Sequence, residues 1–398
     1  MSRYKQKIIW LLIKILWLKR GEIVNILILA NWYPNKNNPI NGIFIKDQVR
    51  ALMEAGLKPI VFFPYDNSIK RGKLLFNIEE GISTYRCNTD YLQSFKKSKI
   101  NSLLLSYKWL KYIVKKEKIN LIHAHVCYTA GILCSIFKRF NNIPYIITEH
   151  RSDIVNFSKK SYNRLISKYA YKRAEKVITV SKFLANELKN LGYKFNEEII
   201  GNEVDIKEYS LSNTRNNSDV VKILFIGSMA ENEIKGLQYF IPALAKYMKK
   251  NNNIEMTFIG NGINRVKYEK MCEDLNIKNK CKFLGTIDKQ DIPIYIKRSD
   301  FLVLPSIKET FGCVLIEAMA CGKPVLATKS GGPNEFVNNN VGILVEPKNE
   351  KALEEGIDLI IKRYDTFDPE YIRKYVVDNY SYNIIGQKIR KVYDDILN

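Results

Sequence analysis

Apolar and polar positions alternate along this chain in two registers. Short, nearly continuous apolar runs of strand length occur at "VNILILA" (24–30), "KPIVFF" (58–63), "NLIHAH" (120–125) and "PYIIT" (144–148). Between them lie longer stretches with apolar residues at helical spacing, near 41–55, 101–118 and 128–140. The alternation then restarts at "VKILFIG" (221–227). It continues through "IEMTFIG" (254–260), "CKFLG" (281–285), "DFLVLPS" (300–306), "PVLAT" (324–328) and "VGILV" (341–345). Strands alternating with helices predict parallel sheets covered on both faces, because a parallel crossover needs a helix-length connection. The break between the two series is polar and rich in turn formers, "EYSLSNTRNNSD" (208–219), and reads as an interdomain linker. At 398 residues the chain is long for one core. The expectation is α/β, two doubly wound Rossmann-like domains facing a cleft.

The densest chemistry lies in "PSIKETFGCVLIEAMACGKPVLATKSGGPNEFV" (305–337). A buried strand ends in a turn, a short loop carries Gly312, and a helical stretch "VLIEAMACG" closes on Gly322. Glu309 falls in the loop and Glu317, eight positions on, in the first turns of the helix. Both belong at the carboxyl end of a strand, the rim where open α/β sheets bind ligands. The helix N-terminus offers N–H groups and partial positive charge to a diphosphate. Carboxylates beside it suit the hydroxyls of a sugar or ribose, since they accept hydrogen bonds without donating any.

Charge changes the picture. A net charge of +22 calls for an anionic partner: nucleic acid, acidic lipid or a phosphorylated ligand. "FKKSKINSLLLSYKWLKYIVKKEK" (95–118) and "SKKSYNRLISKYAYKRAEK" (158–176) interleave basic residues with aromatic and aliphatic ones, as amphipathic helices on an anionic membrane surface do. The N-terminal run "IIWLLIKILWL" (8–18), flanked by Lys5, Lys7, Lys19 and Arg20, is too short to span a bilayer. No small-residue cleavage site follows it. Residues 1–21 are therefore expected to form an interfacial anchor helix on the cytoplasmic leaflet, or else a helix packed on the domain. The seven cysteines show neither metal-ligand nor Cys-x-x-Cys spacing and read as reduced packing residues of a cytosolic protein. The three histidines look too few and too scattered for a structural zinc site.

The 305–337 block resembles the nucleotide-sugar site of retaining glycosyltransferases of family 4, which have the GT-B fold. The resemblance continues in "VNILILANWYPNKNNPINGIFIKDQVRALMEAG" (24–56), "LIHAH" (121–125), "IPYIITEH" (143–150), "KVITVSKFLANEL" (176–188) and "VKILFIGSMAENEIKGLQYFIPAL" (221–244), and covers roughly 24–396. It implies an N-terminal acceptor domain over 22–207, a linker over 208–219 and a C-terminal donor domain over 220–380. The last helix, "YNIIGQKIRKVYDDIL" (382–397), would cross back, so that 381–398 completes the N-terminal domain.

By the same resemblance Glu317 holds the ribose hydroxyls and Glu309 contacts the transferred sugar. Backbone groups of Phe311, Gly312, Cys313 and Val314 approach sugar and phosphate, and the segment "FLGTI" (283–287), with Gly285 and Ile287, lines the base. Gly42 in "NGIF" lets its loop approach the diphosphate or sugar, His150 stands near the reacting sugar, and Lys235 neutralises the departing diphosphate. Position 310 is Thr where the family often has Gly. Ser228 stands where the family commonly has Arg. Asn202 and Asp205 match a turn that is usually structural, with Glu203 replacing Gly. His123 and His125 are expected to shape the cleft. No Asp-x-Asp pair occurs, which points away from metal-held diphosphate.

The implied enzyme is a retaining, metal-independent transferase using no cofactor. It moves a hexosyl or N-acetylhexosaminyl group from a UDP- or GDP-linked sugar to a lipid-phosphate-linked or oligosaccharide acceptor. It would work in cell-surface polysaccharide synthesis at the inner face of the plasma membrane, without nucleic acid. A nucleotide-sugar epimerase of similar fold and a basic protein binding nucleic acid or anionic surfaces are the competing readings. The glutamate block weighs against the first, and the lack of a recognition motif against the second.

Overall fold

The structure, a computed structural model, describes residues 24–89, 96–212 and 219–398. The apolar N-terminal run lies outside the described residues, as does 213–218 of the expected linker.

The first domain is built on strands β1 (Ile26–Ala30), β2 (Ile60–Phe63), β3 (Leu74–Glu79), β4 (Ile82–Cys87), β5 (Leu121–His125), β6 (Tyr145–Glu149), β7 (Val177–Thr179) and β8 (Glu197–Ile199). Their order across the sheet is β3-β4-β2-β1-β5-β6-β7-β8. Every residue of β1, β2, β5 and β6 is buried, as a parallel sheet with two covered faces requires. The helices are α1 (Ile43–Glu54), α2 (Lys96–Lys116), α3 (Ile132–Asn141), α4 (Ile154–Ser158), α5 (Ser161–Arg173) and α6 (Lys182–Asn190).

Two local features depart from the sequence expectation. The antiparallel hairpin β3–β4 fills a region where no strand was expected. Its turn, Glu80–Gly81, has φ of 53° and 82°, the primed geometry that matches strand twist. The helix expected over 128–140 starts only at Ile132. Ahead of it the chain makes a wide turn, Cys127–Gly131, with Thr129 at φ 62° and ψ −67°. The next-door strand causes this: Val126 N–H donates to the Thr148 carbonyl at 2.8 Å and Cys127 N–H to Glu149 Oε2 at 3.0 Å.

The second domain comprises β9 (Val221–Ile226), β10 (Ile254–Ile259), β11 (Cys281–Gly285), β12 (Phe301–Leu304), β13 (Val325–Thr328) and β14 (Gly342–Val345). They form a parallel sheet in the order β11-β10-β9-β12-β13-β14. Helices α7 (Leu237–Lys250), α8 (Arg265–Asp274), α9 (Ile292–Arg298), α10 (Cys313–Ala320), α11 (Glu350–Lys362) and α12 (Pro369–Tyr380) belong to this half, and α13 (Tyr382–Leu397) follows. The α13 helix returns to the first domain. Ile385, Ile389 and Val392 share a core with Ile45, Val49 and Leu52 of α1. The backbones cross so closely that a Cβ on Gly386 would stand 2.1 Å from the Ala51 carbonyl oxygen.

The start of the expected linker is packed. Tyr209 is buried, and Arg373 donates to the carbonyls of Ile206 and Tyr209 at 2.8 and 2.6 Å. The two halves are tied at several points. Glu335 accepts from the Lys182 and Phe183 N–H groups at 3.0 and 2.9 Å, which caps α6 from the other domain. Lys308 pairs with Glu187, and Lys289 with Asp47. Among the described residues no helix is long and apolar enough to cross a membrane.

Candidate active site

The loop after β12 is fixed by its neighbours before any ligand is considered. Glu309 N–H donates to the Ser330 carbonyl at 2.9 Å, and Gly332 N–H to the Glu309 carbonyl at 2.8 Å. On the other side Ile307 N–H donates to the Ile234 carbonyl at 2.8 Å. Gly236 crosses against Pro305 at φ 72°, where a Cβ would lie 1.9 Å from the Pro305 oxygen. Only glycine permits that approach. The crossing sets Lys235 Nζ 2.6 Å from Glu309 Oε2, in a pair with little exposure on the Glu309 side.

Gly312 adopts φ 96° and ψ 59° and caps α10, turning the first N–H groups of that helix toward the cleft. The Phe311 side chain packs between the domains. It is buried against Phe336 and Tyr380 and presses on Gly201 of the first domain. Cys313 takes the Asn202 amide N–H on its Sγ at 3.1 Å, and burial pushes its thiol up. Thr310, at the position where the family often has Gly, fastens the domains. Its hydroxyl donates to the His150 carbonyl at 3.4 Å, and its carbonyl accepts from Ser181 Oγ at 2.6 Å.

The first-domain wall is aromatic. His150, at the end of β6, lies 4.6 Å from the Phe44 ring centre and stacks on His125 at 5.4 Å and 9°. His125 stacks in turn on His123 at 4.5 Å, and His123 bonds the Tyr393 hydroxyl at 2.7 Å and Thr148 Oγ1 at 2.6 Å. The three histidines, scattered in the sequence, thus form one row from α13 to the cleft. Burial holds all three below the ordinary histidine range, His150 and His123 at about 3, so all are neutral at pH 7. Among the described residues no group of His, Cys, Asp and Glu is arranged to hold a metal ion.

One cleft of about 340 Å³ brings together His150, Lys235, Glu309, Phe311, Gly312, Cys313 and Val314. Trp32, Arg151, Asp153 and Asn202 also line it. Of these, Trp32, Arg151 and Asp153 had a signal in their place just after a strand end; Asn202 had none beyond the family turn. Gly42 does not line this cleft. A Cβ there would lie 2.4 Å from the Trp32 carbonyl carbon, so Gly42 lets β1's loop fold onto α1 and thereby sets Trp32 and Phe44.

Glu317, Gly285 and Ile287 do not line this cleft. Gly285 ends β11 at φ 74°, and Ile287 lines a neighbouring pocket with Thr286 and Tyr295. The loop runs on to Lys289, which faces Glu317. Desolvation raises the Glu317 carboxyl from 4.5 to about 7; Lys289 opposes the rise, and Asp47 and Glu208 add to it. Ser228 is exposed and supplies no cation, so Lys235 and Arg151 are the cations of the main cleft.

Comparison with known proteins agrees with this arrangement. The profile "Glycosyltransferase Family 4" matches residues 42–208, and "Glycosyl transferases group 1" matches 206–394. An uncharacterised glycosyltransferase of Methanocaldococcus jannaschii is 30% identical over 379 residues, covering 85% of this chain and 98% of that protein. A human phosphatidylinositol N-acetylglucosaminyltransferase polypeptide is 24% identical, covering 95% of this chain and 77% of that one. The solved structure of Anabaena HepE in complex with UDP-glucose superposes with a TM-score of 0.73 at 21% identity, covering 93% of this chain and 99% of that chain. With both halves matched, and a Lys–Glu pair and a helix N-terminus facing a histidine wall, the chain belongs to glycosyltransferase family 4 and has its GT-B fold.

Proposed function

We propose that this protein is a retaining, metal-independent hexosyl- or N-acetylhexosaminyltransferase. Its donor is a nucleoside-diphosphate sugar and its acceptor a phosphate-bearing lipid or the glycan growing on one. The observation that carries the reading is the Lys235–Glu309 pair, 2.6 Å apart, beside the N-terminus of α10 in a cleft shared by both domains. The ammonium and the helix N–H groups supply fixed positive charge where a diphosphate leaves, the role a metal plays in other transferases. Glu309 accepts hydrogen bonds from the sugar, and Glu317, beside the loop 285–289, accepts from the ribose. Phe311, Gly312, Cys313 and Val314 bring backbone to sugar and phosphate.

His150 is neutral and faces the pair across the cleft, so it orients a hydroxyl by hydrogen bonding and carries no charge into the site. The leaving phosphate takes the acceptor proton as the new bond forms on the same face, which preserves the anomeric configuration. The donor reading is supported by the neighbour solved in complex with UDP-glucose, and the lipid acceptor by the relative named for phosphatidylinositol. The basic helices α2 and α5 support a site of action at an anionic membrane surface. The testing experiment is thermal stabilisation by UDP, GDP and their sugars in the presence of a chelator, with Glu317→Ala alongside. One base should raise the melting temperature of the native protein and not of the variant. A shift that needs divalent metal, or none with any donor, would overturn the reading.

A further inference from the structure

A second cavity lies in the first domain, apart from the cleft just described. It holds about 160 Å³ between the start of α2 and the start of α5, and its wall is mainly apolar. Leu103, Ile132 and Ile166 form its sides, Tyr65 and Tyr128 stand on its wall, and Ile100 and Tyr162 are at its mouth. The mouth residues are 61% and 72% exposed. One turn further along the same helices, Leu104 and Leu165 are 62% and 69% exposed. An apolar mouth of this kind is unfavourable in water and marks an interaction site.

Its surroundings are cationic. Residues 159–176 hold Lys159, Lys160, Arg164, Lys168, Lys172, Arg173 and Lys176 against the single acid Glu175. The helix α2 has no acidic residue at all.

The cavity's wall abuts the wall of the cleft. Tyr128 on its wall packs edge-on against Phe157 at 4.4 Å. The Arg151 guanidinium lies over Phe157 at 4.7 Å, over Tyr128 at 5.8 Å and over Trp32 at 6.0 Å. Arg151 and Trp32 line the cleft, so one cation stands between the two spaces. The chain stays in an unfavourable conformation to build this corner: Val126 and Thr129, both β-branched, have φ of 73° and 62°.

We propose that this cavity takes the hydrocarbon chain of the acceptor lipid, with the lipid's phosphate held at Arg151 and its hydroxyl end in the cleft. The proposal rests on the transferase reading and deepens it. A chain threaded past α2 and α5 leaves the protein through an apolar, basic mouth, which is the surface an anionic membrane would meet.

The probe is decyl phosphate, kept below its micelle concentration and titrated calorimetrically against inorganic phosphate. Native protein should bind decyl phosphate at least about tenfold more tightly, since burial of even two methylenes is worth that ratio. Ile166→Trp, which fills the cavity, should abolish the difference. Ile100→Ser with Tyr162→Ser, at exposed positions where the fold is not at stake, should weaken it severalfold. Equal binding of the two phosphates, or undiminished decyl phosphate binding by Ile166→Trp, would overturn the proposal; the latter would reveal mere adsorption to the basic face. Stabilisation of the same proteins by UDP or GDP separates the two ideas. If it persists while chain discrimination is missing, the cavity alone is wrong; if it is missing in native protein, the donor reading fails.

Discussion

Lys289 reaches across the domain boundary to Asp47, its Nζ 2.5 Å from Oδ2, while the other Asp47 oxygen accepts from the Tyr382 hydroxyl at 2.8 Å. Burial alone would lower the Lys289 ammonium; Asp47, with Glu317 and Glu208, more than reverses that and holds it above the usual lysine range. Removing the carboxylate strands a largely buried cation. Asp47→Ala should therefore lose about 2–3 kcal/mol of stability. Lys289→Met should lose less, and a double-mutant cycle in denaturant should give a coupling of at least about 1 kcal/mol.

The Glu317 carboxyl should make donor binding depend on pH. Folding raises it from 4.5 to about 7, so the folded protein keeps a proton that the unfolded chain has lost. Its contribution to stability is full below 4.5 and is lost as pH rises to about 7. Ribose hydroxyls favour the ionised form. The dissociation constant of the nucleotide should improve about tenfold from roughly pH 6 to pH 8. Glu317→Gln should remove that part of the dependence, leaving only what the phosphate itself titrates.

Turnover should depend on the Lys235–Glu309 pair more than folding does. Loss of one fixed group that meets developing charge typically costs about 10²–10³ in kcat. Lys235→Met is expected to fall in that range, read from initial rates of nucleotide release, with the melting temperature nearly unchanged. Glu309→Gln keeps the shape but loses the ion pair and should be similarly impaired.

The histidine row should be an acid-labile element. His125 is buried and held well below 6.5, so the unfolded chain binds a proton that the folded chain refuses. Its stabilising share is present above 6.5 and lost as pH falls below it. His125→Phe should flatten the stability–pH curve below 6.5 by up to about 1.4 kcal/mol per pH unit. Equal slopes for the two proteins would refute the assignment.

Strand and helix alternation made the two sheets legible, and the glutamate block placed the C-domain half of the site. The return of the 382–397 helix to the first domain was legible only through the family resemblance. The β3–β4 hairpin was not, since Phe76 and Ile78 face solvent and break the inside–outside alternation. Thr129 was read as helical because nothing in its side chain announces that a neighbouring strand has captured the preceding N–H. Asp47 and Lys289 sit 242 positions apart on surfaces that look solvated in sequence, and only the closing of one domain on the other brings them together. The histidines meet within the first domain alone, gathered by two adjacent strands in register.

The loop 309–312 grows from the donor-side domain yet is fastened to the acceptor side. Ser181 holds the Thr310 carbonyl, Thr310 holds the His150 carbonyl, and the Phe311 ring lies against Gly201. Swinging the halves apart must either tear these links or drag the loop off the spent nucleotide. Separation of the halves and displacement of this loop are then one mechanical event, resisted by a few backbone-directed hydrogen bonds.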